Sequence, residues 1–315
     1  TTTVTQPDGG VSTQYFFPTD VASAFSGRVN KEVSSNGTVT ERIWASNRIP
    51  CPDYGCTSPM PLNTYVKTEF TTIPDAAGNP SLTAIKDFNY DKNGNLTRIA
   101  EYDWVPYSTL PRDSLGKVNG IPGGAVISRI TENSFYNQTE DASNSTWNNP
   151  ASYWNSTAPN VRNAVGSSEV KNGSATPVSR TEIGYDNPST TANIISTKVW
   201  DSFMNGTNQP YSNPLSGSNS ISTTVQYDQF GNPVLTTDAK GVQTQITYGN
   251  ISGPNGNVTD LYPTQTVAAY GTLLARTSTA VYDFYTGLVT SATDVDNGVT
   301  SATEYDALGR PLKSV

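Results

Sequence analysis

The stretch Tyr227 to Tyr248 reads YDQFGNPVLTTDAKGVQTQITY and predicts a β-hairpin unit. Asp and Gly stand three residues apart twice within it, at Asp228–Gly231 and at Asp238–Gly241. This spacing is typical of a type I turn, in which the Asp carboxylate accepts backbone N–H groups and Gly relaxes the chain at the fourth position. After the second turn, apolar and polar residues alternate from Val242 to Tyr248, which indicates a strand.

The same features recur along the chain, and this predicts an internal repeat. Asp-x-x-Gly occurs at Asp75–Gly78, Asp91–Gly94, Asp113–Gly116, Asp228–Gly231, Asp238–Gly241 and Asp306–Gly309. The repeat-turn residues are best defined at Asp91, Gly94, Asp228, Gly231, Asp238, Gly241, Asp306 and Gly309. Tyr precedes Asp at Tyr90, Tyr102, Tyr185, Tyr227, Tyr282 and Tyr305. A large ring at that point can stack on its counterpart in the next hairpin, so each unit buries its face against its neighbours.

The predicted fold class is all-β, with antiparallel hairpin repeats in an extended or spiralling sheet. No stretch longer than about ten residues keeps a helical period, and 21 Pro with 25 Gly interrupt the chain too often for long helices. We expect one β-repeat domain over residues 1–315, with recognisable repeats in 1–105 and 177–315. Residues 106–176 are predicted to be an irregular, loop-rich insertion within it.

Composition limits the partners of the chain. Of its 315 residues, 35% are hydrophobic and 15% are charged, which suits thin sheets with one wet face. The formal charge is −8 without a basic patch, so the sequence predicts no nucleic-acid partner. No apolar run approaches the roughly 20 residues that span a bilayer, so no membrane insertion is expected.

At the Tyr-Asp-x-x-Gly motifs the chain resembles a known family. The stretches beginning at Tyr227, Tyr282 and Tyr90, which read YDQFGNPVLTTDAKGVQTQITY, YDFYTGLVTSATDVDNGVTSATEYDALGRPL and YDKNGNLTRIAEYD, are similar to the RHS or YD repeats of bacterial secreted and cell-surface proteins and of the teneurin shell. The resemblance is strong over Thr223–Val315 and fair over Val66–Tyr107. It implies a strip of β-hairpins that spirals into a hollow shell.

The resemblance leaves two structural alternatives and one binding alternative open. The chain is expected to be a non-enzymatic, extracellular or cell-surface β-repeat protein that forms an open shell wall or a fibre segment. It is alternatively a fragment of an RHS shell that encloses a toxin effector; the Asp-Pro dipeptide of the cleavage motif of such shells does not occur in this sequence. A glycan-binding adhesin is the third possibility.

The two ends of the sequence resemble halves of the repeat. Val4–Phe16 is similar to the second half of the Tyr227–Tyr248 unit, and Glu304–Val315 is similar to its first half. The expected partners are therefore other copies of the chain, joined head to tail, or the remainder of a longer RHS protein.

Catalytic and metal chemistry find little support. The chain has no His, which excludes Ser-His-Asp and Cys-His arrangements as well as His-based metal centres. Asp294, Asp296 and Asn297 could supply oxygen ligands to calcium, but Asp-rich turns in a repeat usually cap the backbone. A glycosidase would need two facing carboxyl groups, and nearly every candidate Asp already has a turn role. We expect no catalytic residue, no metal and no cofactor.

The remaining candidates are modifications and one binding patch. Cys51 and Cys56 are interpreted as a disulfide, with two free thiols as the alternative. Sequons predict glycosylation at Asn36, Asn137, Asn144, Asn155, Asn172, Asn205, Asn250 and Asn257, although their number is close to chance for this composition. Trp147 and Trp154 either contact glycans by stacking or hold a long loop against the sheet.

Overall fold

The computed structural model contains two compact units. It describes residues 1–5, 7, 9–17, 25–48, 62–91, 93–136, 161–188, 190–204, 206–254 and 256–315. The first unit comprises Thr1–Thr181 and Pro188–Thr191, and the second comprises Glu182–Asn187 and Ala192–Val315.

Both units consist of β-strands. The strands up to the boundary are β1 (Thr2–Thr5), β2 (Val11–Phe16), β3 (Val29–Val33), β4 (Val39–Arg48), β5 (Leu62–Pro74), β6 (Pro80–Tyr90), β7 (Leu96–Pro106), β8 (Ile127–Phe135), β9 (Val165–Asn172) and β10 (Pro177–Tyr185). The later strands are β11 (Ile194–Trp200), β12 (Phe203–Met204), β13 (Thr207–Asn208), β14 (Ser220–Tyr227), β15 (Pro233–Thr237), β16 (Gln243–Tyr248), β17 (Ile251–Gly253), β18 (Gly256–Val258), β19 (Pro263–Ala268), β20 (Arg276–Tyr282), β21 (Val289–Asp294), β22 (Val299–Tyr305) and β23 (Pro311–Ser314).

The strands follow one another as an antiparallel meander. Nineteen of them belong to one sheet, and β12–β13 and β17–β18 are separate two-stranded ribbons. In the first unit each strand from β1 to β10 pairs with the next. In the second unit the order is β11, β14, β15, β16, β19, β20, β21, β22 and β23. The predicted all-β class with antiparallel hairpins is confirmed.

The hydrophobic core described by the structure lies in the first unit. Phe70 on β5 pairs with Ile85 on β6, and these side chains are 0% and 1% exposed. Leu110 and Val118, from the segment 106–125 that follows β7, pack against them. We call residues 106–125 the cap segment. Full burial of a side chain such as Phe or Ile contributes about 1.5–3 kcal/mol, so the cap segment stabilises the long strands beneath it.

The second unit is built differently. Among its described residues the buried hydrophobic side chains are Leu215, in the loop before β14, and Ile251, in the ribbon strand β17. None of the described strands from β11 to β23 that belong to the large sheet contains one. Hydrogen bonds and aromatic contacts, together with half-buried apolar side chains such as Leu235 and Val267, therefore hold these hairpins in place.

The stretch predicted to be an irregular insertion, residues 106–176, contains the cap segment, β8 and β9. Residues 137–160 lie outside the described part of the chain. The predicted domain boundaries stay a prediction. No helix in the described residues is long and apolar enough to cross a membrane.

Candidate functional site

The repeated turn has one geometry, seen at Asp228. The Asp228 backbone N–H donates to the Asn232 carbonyl at 2.9 Å, and the Gly231 N–H donates to the Asp228 carbonyl at 3.2 Å. Asp228 Oδ1 accepts the N–H groups of Phe230, at 2.8 Å, and Asn232, at 2.9 Å. Gly231 has φ +85°, the left-handed conformation that glycine adopts without a steric penalty. The result is a type I turn closed by a glycine bulge.

The other Asp-x-x-Gly sequences adopt the same geometry. In each, the Asp Oδ1 accepts two backbone N–H groups, and the Gly N–H donates to the Asp carbonyl. These turns begin at Asp75, Asp91, Asp113, Asp238 and Asp306. Their glycines all have positive φ: Gly78, Gly94, Gly116, Gly241 and Gly309.

Two further turns resemble this set but depart from its sequence pattern, one in residue type and one in length. Asn172 accepts the N–H groups of Ser174 and Thr176, with Ala175 at φ +61° in the place of glycine. The turn at Asp283 is one residue longer, and Gly287 donates its N–H to the Asp283 carbonyl. A search that allowed Asn at the first position, a residue other than Gly at the closing position and one extra residue in the turn would have found both.

Hydrogen bonds to the turn carboxylates lower their pKa values. The Thr286 hydroxyl and backbone N–H lower the pKa of Asp283. The Arg310 backbone N–H and guanidinium lower the pKa of Asp306. At Asp228, desolvation by itself raises the pKa, but the N–H groups of Asn232 and Phe230 outweigh it and the net shift is downward. Each bond is made to the ionised form and so favours it.

A β-bulge lies opposite the aromatic residue that precedes the turn. Gln226 pairs with Leu235, but Tyr227 pairs with Pro233, which leaves Val234 as the extra residue. The same shift occurs opposite Tyr90, Tyr248, Tyr282 and Tyr305. A bulge increases the local twist and redirects the neighbouring side chain. This fits the reach of the Tyr227, Tyr282 and Tyr305 hydroxyls beyond their own hairpins.

Tyrosine hydroxyls join successive hairpins in the second unit. Tyr282 Oη donates to the Pro263 carbonyl at 3.0 Å, and Pro263 is the residue that pairs with Tyr248 in the preceding hairpin. Tyr305 Oη donates at 2.8 Å to the carbonyl of Val289, which pairs with Tyr282. These two contacts follow one rule, because each hydroxyl reaches the carbonyl opposite the preceding tyrosine.

Tyr227 extends this series towards the start of the second unit. Its Oη donates to the Ile194 carbonyl at 2.9 Å, directly after the turn that runs from Asp186 to Asn193. The ring of Tyr282 also stacks on that of Tyr262, with centroids 5.0 Å apart. We call Tyr227, Tyr282 and Tyr305 with their acceptors the tyrosine ladder. Tyr262 is followed by Pro263 rather than by Asp, so its contact with Tyr282 is not the predicted stacking of one Tyr-Asp ring on the next. The tyrosines of the ladder instead join neighbouring hairpins by hydroxyl-to-carbonyl bonds.

Asparagine at the fifth turn position forms a second link that the sequence reading missed. Asn232 Nδ2 donates to Asp228 Oδ2 at 3.1 Å and to the Asp260 carbonyl at 2.9 Å. Asn95 Nδ2 donates in the same way to Asp91 and to the Arg162 carbonyl. The recurrence of Asp-x-x-Gly-Asn was the available signal.

Two of the carboxylates considered for a calcium site accept hydrogen bonds from N–H groups of the chain. Asp294 accepts the backbone and side-chain N–H groups of Asn297, and Asp296 accepts the Thr277 N–H at 2.6 Å. In the described residues no group of three or more His, Cys, Asp or Glu side chains is arranged to hold a metal ion.

Some predicted modification sites can be located. Asn36, Asn172, Asn250 and Asn257 are exposed, and Asn172 also has the turn role described above. The other residues of these predictions lie outside the described part of the chain: Asn137, Asn144, Asn155, Asn205, Cys51, Cys56, Trp147 and Trp154. Glycosylation, the disulfide and the glycan contact all stay predictions.

Comparison with known proteins supports the fold. The sequence matches no protein-family model and no curated protein. A chain in the crystal structure of TcdB2–TccC3–Cdc42 is similar to it, with TM-score 0.58 and 14% identity, over 92% of this chain and 16% of that one. A chain in the TcdB2–TccC3 structure is similar with TM-score 0.56 and 15% identity, over 92% and 17%. The protein thus shares a β-sheet fold with a small part of much longer chains.

Proposed function

We propose that this chain is a non-catalytic wall segment of an extracellular shell of RHS or YD type. The observation that carries the proposal is the tyrosine ladder together with the repeated turns. In the described second unit these contacts connect hairpins whose large-sheet strands contain no fully buried apolar side chain. A sheet organised in this way can lengthen by adding hairpins, which is the property that a wall requires.

Of the two assemblies, we propose the shell first. The similar chains belong to TcdB2–TccC3 structures, and this chain spans 16% and 17% of their lengths. A wall segment of this size would act as part of a larger enclosure, with the remaining chain or other subunits as its partners. We propose that this larger shell encloses a toxin effector.

Head-to-tail assembly is the second structural candidate. β23 pairs with β22, and Val315 exchanges two backbone hydrogen bonds with Ala302, so the last hairpin is formed in full. Its outer edge presents strand backbone that another hairpin could extend by β-addition. The predicted partner is a second copy of the chain, and the product would be a fibre.

Electron microscopy of the native, full-length material distinguishes these candidates. Closed or open hollow particles that bind an antibody raised against residues 220–315 would support the shell wall. Fibres labelled along their length would favour head-to-tail assembly. Uniform small monomers at high protein concentration would contradict both assembly proposals.

A further inference from the structure

A cavity in the first unit has the features of a ligand site. It has a volume of about 610 Å³ and lies beside the cap segment, within the range of roughly 300–1,000 Å³ that is usual for small-molecule sites. Its walls come from β2, β3 and β4, from Phe17 and Phe25, and from the cap turn that begins at Asp113. Five aromatic side chains line it: Tyr15, Phe16, Phe17, Phe25 and Trp44.

The acidic side chains of the cavity already have partners. Both Glu41 carboxylate oxygens accept hydrogen bonds from the Arg112 guanidinium at 2.8 Å. Asp113 Oδ1 accepts the backbone N–H groups of Leu115 and Lys117 at 2.9 Å. The lining cation Arg42 is likewise paired, with Glu69 at 3.0 Å.

Two lysines in the lining have no such partner. Lys31 and Lys117 make no hydrogen bond or ion pair with the described residues, and each ammonium lies near an aromatic ring. The Lys31 Nζ is 5.8 Å from the Tyr15 ring centroid, and the Lys117 Nζ is 4.8 Å from that of Phe17. Because Asp113 is bonded only to neutral N–H groups, its charge offsets one of the two lysines, and the lining keeps one net positive charge, which favours an anionic ligand.

A buried acceptor in the same cavity specifies a further property of the ligand. Asn30 Oδ1 is inaccessible to solvent and has no hydrogen-bond partner. Leaving such a group unpaired costs about 1–3 kcal/mol, so a ligand hydroxyl or N–H that reaches this oxygen through a small shift of the Asn30 side chain would recover that cost. Asn30 is the residue left over where Tyr15 pairs with Lys31 and Phe16 pairs with Val29, so a bulge of β3 places it there.

We propose that this cavity binds a short acidic saccharide. A sugar acid combines a carboxylate for Lys31 and Lys117, hydroxyl donors for Asn30 and apolar ring faces for the aromatic walls. A fatty acid lacks the donors, and an acidic peptide lacks the rigid ring faces. The site goes beyond the proposed wall function, because it lies in the first unit and does not depend on the tyrosine ladder.

Calorimetric titration of the full chain with α-1,4-digalacturonate tests the proposal. We expect binding with a dissociation constant of about 1 mM or lower, weakened at least about tenfold for the neutral analogue α-1,4-galactobiose. Lys31→Gln and Lys117→Gln should each weaken binding by about tenfold. Lys240→Gln, which removes an exposed charge on a turn of the second unit, should leave the affinity unchanged.

Several results would overturn the proposal. The first is no binding of digalacturonate at about 10 mM, which is ten times the expected dissociation constant. The second is that galactobiose binds as tightly as digalacturonate. The third is that both cavity lysine variants bind digalacturonate with the affinity of wild type. Tighter binding of octanoate or of a blocked tetraglutamate peptide would assign the cavity to another ligand class. Circular dichroism of each variant shows whether the fold is retained, and addition of salt should weaken binding to wild type.

Discussion

At the residue scale, glycine and aspartate have separate tasks in each turn. Gly231 and Gly241 have φ +85° and +80°, while the aspartates fix the backbone N–H groups. A Cβ at Gly241 would meet no atom within 4 Å, and one at Gly231 would meet only Asn193 at 3.8 Å. Backbone conformation, rather than crowding, therefore makes glycine the favoured residue at both positions.

Gly231→Ala and Gly241→Ala should each lower the free energy of unfolding by about 1 kcal/mol, because alanine is strained at positive φ. Gly217→Ala is the matched control, since Gly217 lies in the same unit without positive φ and with open space around its Cβ position. Urea unfolding followed by circular dichroism measures all three. Equal midpoints for Gly231→Ala, Gly241→Ala and wild type would show that the turn geometry is wrong.

Acid should destabilise the second unit through its turn carboxylates. The pKa values of Asp283 and Asp306 are lowered in the folded chain. Their stabilising contribution is present above the unfolded pKa of about 3.9 and is lost as the pH falls through the lower folded values. The urea midpoint should therefore decrease as the pH is lowered below about 4.

The double variant Asp283→Asn, Asp306→Asn should reduce this pH dependence. Glu304→Gln is the control, because in the described chain Glu304 is an exposed strand residue without a hydrogen-bonded carboxylate. Urea midpoints at several pH values between about 5 and 2.5, which bracket the ordinary Asp value, provide the measurement. The same pH slope in the double variant and wild type would contradict the assignment.

At the element scale, one buried ion pair connects the cap segment to β4. Glu41 is 4% exposed, and its two oxygens receive the Arg112 guanidinium. That guanidinium also lies 4.8 Å from the Tyr107 ring centroid. The hydrogen bond to Glu41 is the main cause of the raised pKa of Arg112.

Arg112→Leu should lower the free energy of unfolding by about 3 kcal/mol, because it leaves the Glu41 carboxylate buried without a partner. Adding Glu41→Gln should restore part of the loss, since the unpaired charge is then removed. Arg129→Leu, which breaks an exposed pair with Glu101, should cost less than about 1 kcal/mol. If thermal unfolding showed equal losses of stability for Arg112→Leu and Arg129→Leu, the proposed importance of the Glu41–Arg112 ion pair would be refuted.

The sequence predicted the hairpins better than the elements between them. Tyr-Asp and Asp-x-x-Gly are local signals, because the turn bonds connect residues at most four positions apart. The sequences of β8 and β9 do not show a regular alternation of apolar and polar residues. Polar contacts join these two strands, including Ser134 to Ser167 and Lys171 to Glu132. Their pairing depends on residues far apart in the chain, which a single sequence does not reveal.

The cap segment was missed for a related reason. Leu110 and Val118 lie in a stretch without strand or helix periodicity, and their burial depends on Phe70 and Ile85. The cavity lining likewise combines residues near positions 15, 30, 42 and 117. A local pattern could not bring these parts together. The bulges opposite the tyrosines also cannot be predicted from the alternation of apolar and polar residues. The extra residue is recognised only from the pairing between two strands, where it changes the register.

At the scale of the whole molecule, the two units use different means of stabilisation. The first has a core that includes Phe70 and Ile85 under the cap segment. In the second, the described hairpins are joined by the tyrosine ladder and by asparagine links such as Asn232 to the Asp260 carbonyl. The second arrangement is the one that suits a repetitive wall, because the acceptors of Tyr282 and Tyr305 occupy the same position, opposite the tyrosine of the preceding hairpin.

Hydrogen exchange on the full chain tests this claim most directly. The triple variant Tyr227→Phe, Tyr282→Phe, Tyr305→Phe is compared with the control Tyr285→Phe. Tyr285 is 77% exposed and lies outside the tyrosine ladder. Each lost hydrogen bond removes about 1 kcal/mol, so the triple variant should exchange β14 and β19–β23 amides roughly tenfold faster or more, with β5 and β6 unchanged. Unchanged protection in β19–β23, or an equal loss in β5 and β6, would contradict the account.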